Sequence, residues 1–269
     1  MRDLTPEQRE IVQSASAALK ADEQIAAAWL AGSLGRGAGD TFSDVDLLVL
    51  AADGPASEVG RRYVQRTRQI APPVLINELF GGRVISVVTE DWQRFDLAFI
   101  EVGELGRYNS AHLVELFNKG LDRPPTKEDP PYRSPPEAVL RLAREFLRIL
   151  GLSAVAVGRH EWVLALSGAD ILRRLTIDLM LEENGVGPIE RGGALRRRSL
   201  LTAEQVGALE ALTPITADLD GVMTSHRELA AVFLPRARAL AQGVGAEWPS
   251  QFEEATKRHL LRRLGLEIG

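Results

Sequence analysis

The sequence predicts an α+β protein in two parts: a small mixed β-sheet domain with helices over residues 1–125, then an all-α helical bundle over residues 135–269. Three observations predict it. Strand-length apolar runs alternate with helical patterns in the first part; the stretch from Asp122 to Pro136 (DRPPTKEDPPYRSPP) is proline-rich and polar; strand-like patterning does not return after it. With 269 residues, 45% of them hydrophobic, the chain can build two modest cores.

The elements follow in order. Thr5 precedes Pro6 and stands three residues before Gln8, a capping box that starts a helix running to about Lys20. Ile25 to Ala31 reads as a buried strand and Asp44 to Leu50 as a second, with the glycine-rich segment Gly32-Ser33-Leu34-Gly35-Arg36-Gly37-Ala38-Gly39 as a loop between them. A helical pattern over Ser57 to Ile70 is stopped by Pro72-Pro73. Val74 to Phe80 and Arg83 to Val88 then flank Gly81-Gly82, which predicts a two-residue hairpin turn, and Arg94 to Ile100 is expected to be the last strand. In the second part, Ser134 ahead of Pro135, Pro136 and Glu137 reads as another capping box. Helices are expected near 135–156, 160–184, 202–213, 217–243 and 250–264, packed as a bundle.

Composition narrows the functions. The 32 Lys+Arg against 37 Asp+Glu, a net charge of -5, give no global attraction for a nucleic-acid backbone, so nucleic acid is an unfavoured partner. Absence of cysteine excludes disulfides, thiolate metal sites and a cysteine nucleophile, and suits a cytoplasmic location. The opening MRDLTPEQRE is charged, so no secretory signal is expected. No apolar run approaches the roughly 20 residues of a membrane-spanning helix.

Chemistry concentrates in Trp29-Leu30-Ala31-Gly32-Ser33, a gap of ten residues, and Asp44-Val45-Asp46-Leu47. Alternate residues on a strand share a face, so Asp44 and Asp46 project together while Val45 and Leu47 turn to the core. Two carboxylates held side by side raise each other's proton affinity, a cost that a divalent cation removes. Oxygen ligands of this kind suit Mg2+, which takes one or two protein carboxylates and completes its shell with water and substrate phosphates. Gly32 allows close approach of a phosphate, the Ser33 hydroxyl can donate to it, and Arg36 can add a charge-assisted contact. A third acid, Asp96, interrupts the apolar strand Arg94-Phe95-Asp96-Leu97-Ala98-Phe99. If that strand lies beside the Asp44–Asp46 strand, the three acids converge and can hold two metals ~4 Å apart, as in-line nucleotidyl transfer requires.

Gly-Ser, the ten-residue gap, Asp-Val-Asp and a later strand Asp resemble the DNA polymerase β nucleotidyltransferase superfamily. The length and the helical second half are most similar to the antibiotic nucleotidyltransferases, the aminoglycoside and lincosamide adenylyltransferase group. The motif match covers residues 25–101; beyond it the resemblance is one of layout. It implies an enzyme in which Asp44, Asp46 and Asp96 bind Mg2+, Gly32 and Ser33 hold the nucleoside triphosphate, and the helical domain completes the pocket of a small-molecule hydroxyl acceptor. The expected reaction moves AMP from ATP, or another nucleoside monophosphate, to that hydroxyl, with antibiotic resistance as the expected setting.

Plainer readings stand beside these. The Gly-Ser and Asp-Val-Asp unit can be a surface turn leading into a strand. Asp96 can be an edge residue paired with Arg94 or Arg83, a metal ligand, or the general base. Asp178 is a second candidate base, but Arg174, four residues before it, is a ready ion-pair partner, as it is for Asp170. Arg191 and the run Arg196-Arg197-Arg198 can reach a triphosphate or form a solvated loop. His112, His160, His226 and His259 show no metal-ligand spacing; Trp29 reads as core, and Trp92, Trp162 and Trp248 as core or hinge anchors. Two rival functions remain: transfer to a protein or an RNA end, and a non-catalytic antitoxin-like binding module.

Overall fold

The computed structural model describes residues 4–128, 130–191 and 194–269, with the side chains of residues 194–196 outside that description. The chain divides into two compact units, residues 1–129 and 130–269.

In the first unit, α1 (Pro6–Ala21) starts at the predicted box: the Thr5 hydroxyl accepts from the Gln8 N–H at 3.1 Å, and the Gln8 side chain accepts from the Thr5 N–H at 3.0 Å. Six strands follow, β1 (Ile25–Leu30), β2 (Val45–Ala51), β3 (Pro73–Leu79), β4 (Val84–Thr89), β5 (Arg94–Ile100) and β6 (Val114–Asn118), in the order β3-β4-β5-β2-β1-β6. Among the described strands only the β2–β5 pair is parallel. A parallel pair needs a crossover, and α3 (Ala56–Arg66) with the β3–β4 pair provides it.

Period-two alternation decides which face each residue takes. Val45, Leu47, Val49, Ile85, Val87, Phe95, Leu97 and Phe99 turn to one face and pack with Ile11, Val12 and Leu19 of α1 and Val59 and Tyr63 of α3. Full burial of each such side chain contributes roughly 1.5–3 kcal/mol. The opposite face carries a smaller cluster, Trp29, Leu48, Leu50, Ile100 and Leu105, under β1 and β2. Trp29 is thus core, as its sequence context predicts. The cluster reaches the C-terminal end of β5 through Ile100 but, among the described residues, does not extend over β3 and β4, and the N-terminal ends of β2 and β5 carry acids instead.

Four expectations for this region need correction. The glycine-rich segment is not loop throughout: Gly32–Gly35 forms a single helical turn, α2. The β3–β4 connection is not a two-residue turn. It is a 3₁₀ turn, Phe80–Gly82, with positive φ at Phe80, Gly81 and Gly82. The sheet does not end at β5, because β6 adds an edge beside β1; its half-exposed alternation gives only a faint strand signal. Trp92 anchors nothing: it sits exposed, with φ of 57°, in the β4–β5 turn.

The second unit is helical as predicted: α4 (Pro136–Gly158), α5 (Trp162–Glu183), α6 (Ala203–Glu210), α7 (Leu219–Gly243) and α8 (Ser250–Leu264), with a 3₁₀ segment Ala194–Leu200 before α6. Its core joins Leu142, Leu147 and Leu150 of α4 to Leu172 and Leu179 of α5, Leu229 and Leu234 of α7 and Leu260 of α8. Phe146 and Phe233 stack at its centre, ring centroids 3.8 Å apart. The predicted Ser134 cap does not form. Pro135 occupies the cap position, and the Ser134 hydroxyl donates to the buried Glu182 carboxylate, which also accepts from Tyr132 and Arg191. A buried carboxylate outcompetes exposed helix N–H groups for the hydroxyl, because its unmet acceptors are the costlier loss.

No described helix is long and apolar enough to cross a membrane.

Candidate active site

Asp44 lies one residue ahead of β2, Asp46 is its second residue, and Asp96 is the third residue of β5. The parallel register places Asp46 directly opposite Asp96. Side chains of facing residues share a face, so these two carboxylates stand about 5 Å apart at their backbones, the spacing of adjacent strands. Asp44 shares that face by period two.

Electrostatics bears the cost of this crowding. Burial pushes the Asp46 carboxyl up to about 6, and Asp44 and Asp96 push in the same direction, against the weaker pull of Arg36 and Arg94. Burial also raises Asp96, offset by a hydrogen bond from Ser86 and reinforced by Asp44. Asp44 faces the Arg94 guanidinium at 4.0 Å, and Arg94 also donates to the Phe42 carbonyl at 3.2 Å. Of the two arginines offered as partners for Asp96, Arg83 pairs with Glu104, while Arg94 faces Asp44 and lowers the Asp96 proton affinity only through its charge.

Gly32 completes the arrangement. The Ala31 N–H donates to the Asp46 carbonyl at 2.8 Å, which lays the start of α2 against β2. Gly32 has φ of +59°, and a Cβ there would lie 1.7 Å from the Asp46 Oδ2. Only glycine satisfies both the backbone and the contact. Ser33 follows on α2, half-buried, and the first N–H groups of any helix lack intrahelical acceptors. Arg36 caps the turn's C-terminal end, close enough to lower the Asp46 proton affinity.

The loop leading to Asp44 is fixed from α1. Gln8 is buried, and its amide donates to the carbonyls of Asp40 and Ser43, each at 2.9 Å. Asp40 closes the same loop on itself by accepting from the Phe42 N–H and the Ser43 hydroxyl. Gln8 is therefore a positioning residue that sequence reading missed, since the capping box already accounted for it. Ser86 was missed too, though its period-two place between Val84 and Val88 puts it on the acidic face.

Among the described residues no group of three acids or histidines closes into a cation site by itself. Facing carboxylates on an open face, with a glycine turn against one of them, suit a hard cation that brings water and phosphate oxygens of its own.

Other candidates take structural partners. Asp178 pairs with Arg197, not with Arg174, which holds Asp170 at 3.0 Å. Arg191 serves Glu182 and Arg198 faces Glu210, while the Arg196 side chain lies outside the described residues. His226 is buried with Nδ1 2.6 Å from the Val222 carbonyl. The Trp248 indole donates to Glu253 at 2.6 Å.

No protein-family model matches the sequence, and no curated protein does. Among solved structures, the chain is similar to an aminoglycoside 6-adenyltransferase from Bacillus subtilis, at 17% identity and a TM-score of 0.45, over 95% of this chain and 97% of that one. It is also similar to the Bacillus stearothermophilus CCA-adding enzyme in complex with CTP, at 14% identity and a TM-score of 0.28, over 96% of this chain and 83% of that one.

Proposed function

We propose that this chain is a Mg2+-dependent nucleotidyltransferase that moves a nucleoside monophosphate, AMP from ATP in the first instance, to a hydroxyl of a small molecule and releases pyrophosphate. The observation that carries this reading is the facing of Asp46 and Asp96 on parallel strands, with Gly32 pressed against Asp46. Like-charged carboxylates half-buried beside one another cost stability and give the fold nothing in return.

In this reading Asp44 and Asp46 hold the cation, with Asp96 beside them, and Gly32, Ser33 and Arg36 take the triphosphate. Bound Mg2+ would supply neutralisation of the phosphate charge and acidification of the attacking hydroxyl. The acceptor oxygen bonds to the α-phosphorus as the bond from that phosphorus to the oxygen of the leaving pyrophosphate breaks. Its proton passes to the Asp96 carboxylate, whose raised proton affinity suits a base. Asp178 is the weaker choice of base, because Arg197 already occupies it.

The test is incubation with labelled nucleoside triphosphates and Mg2+ against aminoglycosides, lincosamides, small metabolites and tRNA, reading product mass. Transfer to a small molecule that is lost in Asp46→Asn is expected. Full transfer by Asp46→Asn would sink the metal-site reading; labelling of tRNA alone would replace the small-molecule acceptor.

A further inference from the structure

The acidic face does not stop at Asp96. The register continues it outward: Asp46 faces Asp96, Asp96 faces Ser86 on β4, and Ser86 faces Asn77 on β3. These four side chains form one polar row across four neighbouring strands. On either side the row is bordered by apolar pairs in the same register, Leu75 with Val88 and Leu79 with Val84. Leu75 and Leu79 are 48% and 41% exposed, on a sheet face where the opposite side of β4 and β5 is fully packed. Asn77 is exposed as well, and the Ser86 hydroxyl, already donating to Asp96, keeps its lone pairs for a further donor.

We infer that this strip, Asn77 and Ser86 flanked by Leu75, Val88, Val84 and Leu79, is the acceptor subsite, and that the acceptor is an uncharged hydroxyl compound with an apolar face, such as a glycoside with an apolar aglycone. The inference rests on the nucleotidyltransferase reading above and deepens it. Strand spacing puts Asn77 about 10 Å from Asp96 at the backbone, two strands away. An acceptor lying along the row presents one hydroxyl to Asp96 while its other polar groups meet Ser86 and Asn77. Its apolar edge covers the leucines and valines, whose exposure otherwise has no use on a face that ends in charge.

Charge argues against a polycation here. The row outward of Asp96 holds no carboxylate, and Arg94, on the same face, repels positive charge. Glu78, the nearest acid of β3, alternates to the other face and is held by Arg61 at 3.3 Å. A multiply charged amine would leave its ammonium groups unpaired on this strip.

The experiment uses the full chain with ATP and compares phenyl β-glucoside, methyl β-glucoside and a polycationic aminoglycoside as acceptors. ATP binding in the presence of Mn2+, followed by calorimetry, serves as an independent readout. Phenyl β-glucoside is expected to be the best acceptor. Asn77→Ala is expected to raise its KM about tenfold, the loss of one hydrogen bond, and Leu79→Asp to remove the advantage of the phenyl over the methyl glycoside. Both variants should bind ATP with Mn2+ as the wild type does, which also shows that they fold; Asn77→Ser and Leu79→Ser provide milder replacements at the same exposed positions. Preference for the aminoglycoside, unchanged acceptor KM in the variants, or no transfer to either glycoside with ATP binding intact overturns this inference alone. Failure of the wild type to bind ATP with Mn2+ overturns the underlying reading.

Discussion

Gly32 leaves no room for a methyl group between itself and Asp46: a Cβ would meet the Oδ2 at 1.7 Å. Gly32→Ala must therefore displace the carboxylate and also hold alanine at positive φ, which costs about 1–2 kcal/mol before any clash is counted. The variant is expected to melt earlier and to lose nucleotide transfer. In an Asp46→Gly background the same substitution should cost markedly less stability, a coupling that a double-mutant cycle of thermal melts reads directly. Equal costs in both backgrounds would refute the contact.

Asp46→Asn removes one of three crowded negative charges. Transfer should fall by ~1000-fold or more, as for loss of a group that stabilises the transition state. The metal-free protein should become more stable, because the burial cost of the charge, and with it the repulsion from Asp44 and Asp96, disappears. Urea denaturation in EDTA tests this second half, and a less stable variant would contradict it.

The pH dependence has a definite sign. The Asp46 carboxyl sits at about 6 in the folded chain against an ordinary 3.8, so between those values the folded state holds a proton that the unfolded state has released. Without metal, this group's contribution to stability is complete below the lower value and is lost as pH rises through the upper one. Cation binding needs the deprotonated form and runs the other way. Mg2+ should raise the melting temperature at about pH 7.5 and do much less at about pH 5; equal shifts at both would exclude Asp46 as a ligand.

Gln8 offers a test of remote positioning. Gln8→Ala leaves the carbonyls of Asp40 and Ser43 without their shared donor, at an expected cost of about 1–3 kcal/mol. Since that loop delivers Asp44, affinity for Mn2+ should fall as well, while Thr5→Ala, which only weakens the helix cap, should leave metal affinity untouched. Titration of Mn2+ by electron paramagnetic resonance separates the two.

Much of this architecture can be read from local pattern. Alternation along Val45-Asp46-Leu47 predicts which side chains turn inward, and Thr5 with Gln8 marks a helix start that is observed to the residue. What escapes local reading is set by partners distant in sequence. Ser134 fits a cap by spacing, yet binds Glu182 because folding buries that acid next to it. Asp178 has Arg174 at helical spacing, but Arg197 reaches it from the following segment. In the site itself Asp44 and Asp46 are legible as a pair from strand geometry, whereas the company of Asp96, and with it Ser86 and Asn77, depends on strand order, which no local pattern encodes. β6 is faint because an edge strand with half-exposed side chains has little hydrophobic contrast.

The parallel β2–β5 pairing also carries a consequence in time. A hairpin joins strands that are neighbours in the chain, but α3, β3 and β4 all lie between β2 and β5, so this pairing is a non-local contact of the slower kind. As the chain leaves the ribosome, Asp46 emerges long before Asp96, and until β5 docks the two acids do not feel each other. Docking of β5 is thus the moment at which mutual repulsion first appears, and at which a divalent cation in the surrounding solution can begin to favour the finished sheet.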